Sequence, residues 1–392
     1  MDMPRLGNDV TMTNIDSSPT LSKSITVTQY GSLAFGSGLG STAFSAGWTF
    51  HGRSKSCTLD LAGKTVNGGG SGTWTIQMPS GTMTLTSSFQ MSAFIDRVLD
   101  VISGTFDSAG FSVNIGAFVS SGSSTRTVTM GSSTLILPGS GTVWNVASSL
   151  TLNSNTSTIS ITDTGSGSKT FTGGGKTYNN LSITVGGTGA IIIQNNNTWT
   201  RMLKSGTGTK TIQFTAGSIQ TFTGGTNCFF SGTSGNLITC QSTSNGSAWT
   251  VTKTSDYDSS DFISLRDSKA TGVASWFAWS NATNVSGNTG WIFTAPVFTE
   301  TLSMTIVSDT SLTDLQNYVE KLSFTIISDT SLNDLQNYVE NLNFTIVSDI
   351  SVSDFQTYIE NLNFTIIGVV EIEENLVFPK DTFKPIFLKR KQ

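Results

Sequence analysis

The chain has 392 residues, enough for two domains and a sizeable buried core. Only 12% of them are charged, where globular domains carry roughly 25%, and Gly, Ser, Thr and Asn fill the gap while Pro stays scarce. A net charge of −5 with 36% hydrophobic residues excludes a disordered chain, and the lack of a basic face or a sustained acidic run in the larger part gives nucleic acid no footing.

The opening "MDMPRLGNDVTMTNIDSS" has neither a basic n-region nor an apolar h-region, so no signal peptide is expected. No run approaches the roughly 20 apolar residues of a membrane span, so no membrane insertion is expected either. Cys57, Cys228 and Cys240 are an odd number at unrelated spacings, and predict neither a disulfide framework nor a metal site. From residue 20 onward the pattern is short alternation: "GTWTIQM" (72–78), "TMTLTSS" (82–88), "LSITVGG" (181–187) and "KTIQFTAG" (210–217), separated by Gly, Ser and Asn turns. The stretch "FQMSAFIDRVLDVI" (89–102) comes nearest to helical spacing, and two strands are the preferred reading there.

Many short strands fit a sandwich, a barrel or a parallel β-helix. The β-helix is favoured because phrases recur loosely ("LDLAGKTVNGG" at 59–69, "FTGGGKTYNNLSI" at 171–183) and no linker interrupts 20–290. Small polar residues also dominate the expected outward positions, where coils can stack them. Coils of roughly 20–25 residues predict on the order of eleven to thirteen turns. A solenoid must close its ends. The segment "WFAWSNATNVSGNTGWIF" (276–293) offers Trp276, Trp279 and Trp291 for a cap or a subunit interface, with a sugar-stacking platform as the alternative.

Charge divides the chain near its three-quarter point. Residues 1–299 hold 15 Lys plus Arg, 12 Asp and no Glu (15 − 12 = +3), whereas residues 300–392 hold 6 bases and 14 acids (6 − 14 = −8). Glu favours helices and is depleted in strands, so its onset at Glu300 predicts a change of architecture and a boundary near Pro296. The division read from this is an N-terminal arm over 1–20, a β-helix domain over 21–295, repeats over 296–370 and a basic tail over 371–392.

Candidate chemistry is sparse. His51 is the single histidine, without an elbow motif around it, and reads as structural. "GGGKT" (173–177) and "AGKT" (62–65) imitate a phosphate-binding loop, but the leading glycine is replaced by Thr170 and Thr58, so both read as turns. Asp256, Asp258, Asp261 and Asp267 are the only dense acid group. Asp258 and Asp261 are candidates for a glycan site beside the tryptophans, with turn-capping preferred over catalysis or calcium binding. T-x-T runs at 82–86 and 125–129 suggest an ordered threonine surface, set aside because their spacing along the chain is irregular. No catalytic, cofactor-binding or metal residues are assigned, and no enzyme activity is expected.

The stretch "SDYDSSDFISLRDSKATGVASWFAWSNATNVSGNTGWIF" (255–293) resembles the closing segment of bacteriophage and metagenomic β-solenoid proteins. That family's pattern is D-Y/F-I-S-L/V-R-D-S-x-A-T-G-G-A-x-W followed by G-N-T-G-W-x-F, and Val273 stands here at its second Gly. "GSKTFTGGGKTYNNLSI", "IQFTAGSIQTF" and "SGTSGNLITCQS" carry the similarity upstream, so it covers roughly 59–293. The resemblance implies a β-solenoid in a virion: a tail-fibre, tail-tip or head-decorating protein, commonly a homotrimer. Expected partners are further copies of itself, other virion proteins and a host surface polysaccharide. A polysaccharide-binding or depolymerising β-helix is the alternative.

Outside that stretch lie "TLSMTIVSDTSLTDLQNYVE", "KLSFTIISDTSLNDLQNYVE" and "NLNFTIVSDISVSDFQTYIE" (301–360), three repeats of 20 residues, with a fourth breaking off after "NLNFTIIGVV". Each begins with strand-like alternation. Ser331 and Asp334 have capping-box spacing, with Leu332, Leu335 and Val339 on one helical face, so a strand-turn-helix unit is predicted. Leu315, Tyr318, Leu335, Tyr338, Phe355 and Tyr358 are the assembly candidates, in a segment expected to attach or trimerise the protein.

Overall fold

The computed structural model describes residues 5–12, 18–44, 46–52, 56–67, 72–91, 97–163 and 165–294, and the backbone alone of 301–306, 310–326, 330–346, 350–366 and 370–372. The chain divides into two compact units, Met1–Pro296 and Val297–Gln392.

The first unit is a parallel β-helix of about eleven turns. An 18-stranded sheet and a 10-stranded sheet form its main walls, and every strand pairing is parallel. The strand Thr73–Leu85 shows why this sequence coils. Its inward residues Trp74, Ile76 and Met78 give way to an exposed Pro79–Ser80 bend, and alternation resumes with Met83 and Leu85 buried. One strand therefore lines two faces of the core, and the register shifts at the bend. At 89–102 the strands Phe89–Met91 and Val98–Asp107 stand at either side, and residues 92–96 between them lie outside the described residues.

Coil length varies while core register holds. Paired residues are 19 apart between Leu99 and Phe118 (118 − 99) and 28 apart between Phe214 and Ser242 (242 − 214). The slack is taken up in the turns, so like residues stack. Phe118, Trp144 and Phe171 pair in successive coils, their ring centroids 4.6 and 5.6 Å apart. Phe214 and Trp249 stack at 3.9 Å. Seven of the eight tryptophans are buried, Trp279 being the exposed one.

Both glycine-lysine phrases are tight turns at a coil corner. Lys64 N donates to Leu61 O at 2.8 Å, and Lys176 N to Gly173 O at 3.2 Å. Ala62–Gly63 and Gly174–Gly175 all have positive φ, between 50° and 73°. Two successive left-handed residues select glycine in at least one place, so glycine serves the chain direction here and not a phosphate.

The threonines form columns that the sequence spacing conceals. Thr82, Thr105, Thr127 and Thr151 pair in turn at offsets of 23, 22 and 24 residues (105 − 82, 127 − 105, 151 − 127). Thr177, Thr198, Thr221, Thr252 and Thr271 make a second column. Irregular spacing is therefore no objection to a threonine surface. Asp107 and Asn153, in the column beside the first, interrupt its uniformity.

In the second unit the strands Thr310–Ile326, Thr330–Ile346 and Ile350–Ile366 pair in parallel with an offset of 20 residues, so each repeat lies against its own copy. The backbone is extended over 331–340, where the spacing predicts a helix. In-register stacking gives each interior strand ladder partners on both sides, an outlet for backbone polarity that a local capping pattern does not reveal. Far-UV circular dichroism decides between the two forms. A chain ending at Phe293 is expected to lose only β-type signal relative to the full chain if the strands hold, whereas loss of helical signal would support the strand-turn-helix unit.

Candidate functional site

The candidate residues converge at the C-terminal end of the solenoid. Trp276 pairs with Trp291 across adjacent strands, their rings 5.4 Å apart, and Phe222 and Phe229 pack against Trp276. Trp276 Nε1 donates to Thr271 O at 3.1 Å, and Trp291 Nε1 to Ser268 Oγ at 2.9 Å. Both indoles are thus buried with their polar edges satisfied, and present no open face for a sugar ring. Trp279 is 37% exposed, and its Nε1 donates to Ser259 Oγ. Of the three tryptophans it alone could stack on a ligand.

The acids separate in the same way. Asp258 is fully buried. Its Oδ2 accepts Cys228 N at 2.7 Å, the Cys228 thiol at 2.9 Å and Phe229 N at 3.3 Å. These bonds fasten an insertion: Phe222 pairs with Lys253, 31 residues on (253 − 222), the longest coil step around this end. Phe229 and Phe230, carried by that insertion, are buried in the core. Burial pushes the Asp258 carboxyl up, against its hydrogen bonds from Cys228 and the nearby Lys253 charge, and burial likewise pushes up the Cys228 thiol, with Asp258 adding to it.

Asp261 is a turn residue. Its Oδ1 accepts Phe262 N and its Oδ2 accepts Asn281 Nδ2, both at 2.9 Å, while Ser231 Oγ accepts its backbone N–H at 3.0 Å. Asp267 Oδ2 accepts Gly246 N at 3.0 Å and lies 3.6 Å from Arg266 Nε. Asp256, Phe262 and Asp267 all have positive φ, the backbone cost that such turns carry. No group of three or more His, Cys, Asp or Glu arranged for a metal occurs among the described residues. The Leu315–Leu335–Phe355 and Tyr318–Tyr338–Tyr358 sets fall in register columns of the second unit, where only the backbone is described. The basic tail beyond residue 372 and residues 1–4 and 13–17 of the arm lie outside the described residues.

Sequence reasoning missed the buried lysines. Lys253 Nζ donates to Gly225 O at 2.9 Å and Tyr257 O at 3.0 Å. Lys169 Nζ donates to Pro138 O and Gly139 O, and Lys210 Nζ to Gly187 O and Gly189 O. At coil corners carbonyls turn out of the ladder, and an ammonium with three donors gathers them. The signal was phase: in "KTF", "KTIQF" and "WTVTK" each lysine shares the face of the buried apolar residues.

Lys23 is buried in the same way. Its Nζ donates to Ile25 O, Ala46 O and Gly47 O and sits 5.3 Å from the Trp48 ring centroid. Burial, helped by Arg97, lowers its pKa to about 8. The folded state then holds fewer protons than the unfolded state between about pH 8 and the ordinary lysine value of about 10.4, so stability rises with pH across that window. Melting temperature followed over this range is expected to climb in the native chain and to lose that slope in Lys23→Met.

No protein-family model, no curated protein and no solved structure matches this chain.

Proposed function

We propose that this protein is a non-enzymatic structural component of a bacteriophage particle, a tail-fibre, tail-tip or capsid-decorating solenoid that assembles as a homotrimer. One observation carries the non-enzymatic part: the residues best suited to a glycan site are occupied in holding the fold. Asp258 is enclosed by N–H and thiol donors, Asp261 caps a turn, and Trp276 and Trp291 belong to the core. A coiled parallel sheet with neutral polar columns also suits an exposed, stiff part, since each coil rests only on its neighbours. The particle context rests on the resemblance of residues 255–293, and the trimer on the repeats and on that resemblance. The solenoid's polar faces could meet a host polysaccharide, with Trp279 the first residue to examine.

Light scattering tests the assembly. The full chain is expected at three times the protomer mass and a chain ending at Phe293 at one. Monomers in both cases would remove the trimer. For the particle assignment, the chain is expected to co-sediment with assembled particles from lysed producer cells. A freely soluble chain that cleaves polysaccharide would instead establish the depolymerase alternative.

A further inference from the structure

Buried cations elsewhere in this solenoid are met by carbonyls, as at Lys169, Lys210 and Lys253. Arg126 is different. It is 1% exposed, and only Nη2 has an acceptor, Ser149 Oγ at 2.7 Å. Nε and Nη1 are buried without a hydrogen-bond partner. No carboxylate forms an ion pair with Arg126 among the described residues; Asp100 is the acid whose field reaches it. A guanidinium stays protonated in a protein, so a buried one calls for an anion or a full set of acceptors.

An exposed loop, 121–125, "SGSST", between the strands Ala117–Ser120 and Arg126–Thr129, lies against Arg126. At its second residue, Gly122, an added Cβ would stand 3.1 Å from Nη1, its nearest neighbour. Ser149 Oγ donates to Gly122 O at 3.4 Å while accepting Nη2, so it ties the guanidinium to that loop with Nη1 beneath the glycine. The loop supplies hydroxyls from Ser121, Ser123, Ser124 and Thr125, all exposed.

We propose that Arg126, held by Ser149, and the 121–125 loop form a binding site for a small oxyanion of the phosphate class, seated against Nη1 under Gly122. Water could satisfy the open N–H groups but would add no negative charge to the field of Asp100, whereas an oxyanion supplies both acceptors and charge. Glycine at 122 keeps the space over Nη1 free of a side chain. The loop must lift for the anion to enter, which its exposure permits. This site is independent of the particle assignment.

The test is titration of the full chain with inorganic phosphate against sodium chloride at matched ionic strength, read by calorimetry and by melting temperature. The native chain is expected to show a saturable, phosphate-specific rise in melting temperature. Arg126→Gln and Gly122→Ala should each weaken phosphate binding by about tenfold or more. Gly122→Ala changes only an exposed loop and decides the matter if Arg126→Gln does not fold. A phosphate effect no larger than that of chloride, or one of equal size in a folded variant, overturns the site and leaves the guanidinium to buried water.

Discussion

Asp258→Ala is expected to destabilise the solenoid by about 3–5 kcal/mol, the range for stripping one partner from a buried charged network. The carboxylate of Asp258 accepts two backbone N–H groups and a thiol, and Lys253 lies near enough for its charge to act on it. Truncation strands all of these donors in the buried interior, and loosens the insertion that brings Phe229 into the core. Asp258→Asn keeps an acceptor without the charge and should cost clearly less. The two variants also differ from the native chain in pH response. Burial raises the carboxyl pKa in the folded state, so the folded chain keeps a proton that the unfolded chain has released, and the pH-dependent part of this group's contribution falls as pH rises from the ordinary carboxyl range to that raised value. Chemical denaturation between about pH 4 and about pH 7 should show that component in the native chain and not in Asp258→Asn. An alanine variant within about 1 kcal/mol of the native chain at neutral pH would mean that the insertion is held by its aromatic residues alone.

Trp144→Ala should cost about 3–5 kcal/mol as well, for a different reason. Its ring fills a layer between Phe118 and Phe171, and its Nε1 donates to Tyr178 Oη at 2.9 Å. The backbone pairs across these coils leave no way for the layer to collapse. Tyr178 Oη donates onward to Gly173 O at 2.8 Å, so the lost indole also unsettles a corner turn. Coil-by-coil construction makes the damage local. Hydrogen exchange should quicken around 118–199 while amides near 238–270 keep their protection. Trp279→Ala, at an exposed position, should change stability by less than about 1 kcal/mol. Uniform loss of protection along the chain would show that the solenoid opens as one cooperative block.

Much of the architecture was legible because a parallel β-helix is built from short-range rules. Alternation in "GTWTIQM" and "KTIQFTAG" marks which residues face inward, and glycine pairs at positive φ mark the corners. Both survive in the local sequence. The candidate site was legible only as residue types. "SDYDSSDF" and "WFAWS" display acids and tryptophans, but nothing in them tells that Asp258 and Trp276 point inward while Trp279 points out. That depends on strand phase after a long insertion, and one residue of slip exchanges the two faces.

By itself, then, the sequence determined the strand-rich class and the turn positions, because each follows from periods of two residues or from backbone limits at glycine, and it displayed the 20-residue repeat directly. Tertiary structure alone decided which threonines share a column, where the lysines find their carbonyls, that Asp258 clasps Cys228, and that Arg126 lies buried beneath Gly122. Most of these join residues about a coil or more apart; Lys253 with Tyr257 O, Lys23 with Ile25 O and Arg126 with Gly122 are close in sequence, but their burial is imposed by the coils around them. Stacking offsets vary from coil to coil with turn length, so contacts of this kind are fixed by the summed fit of the core and by no motif along the chain.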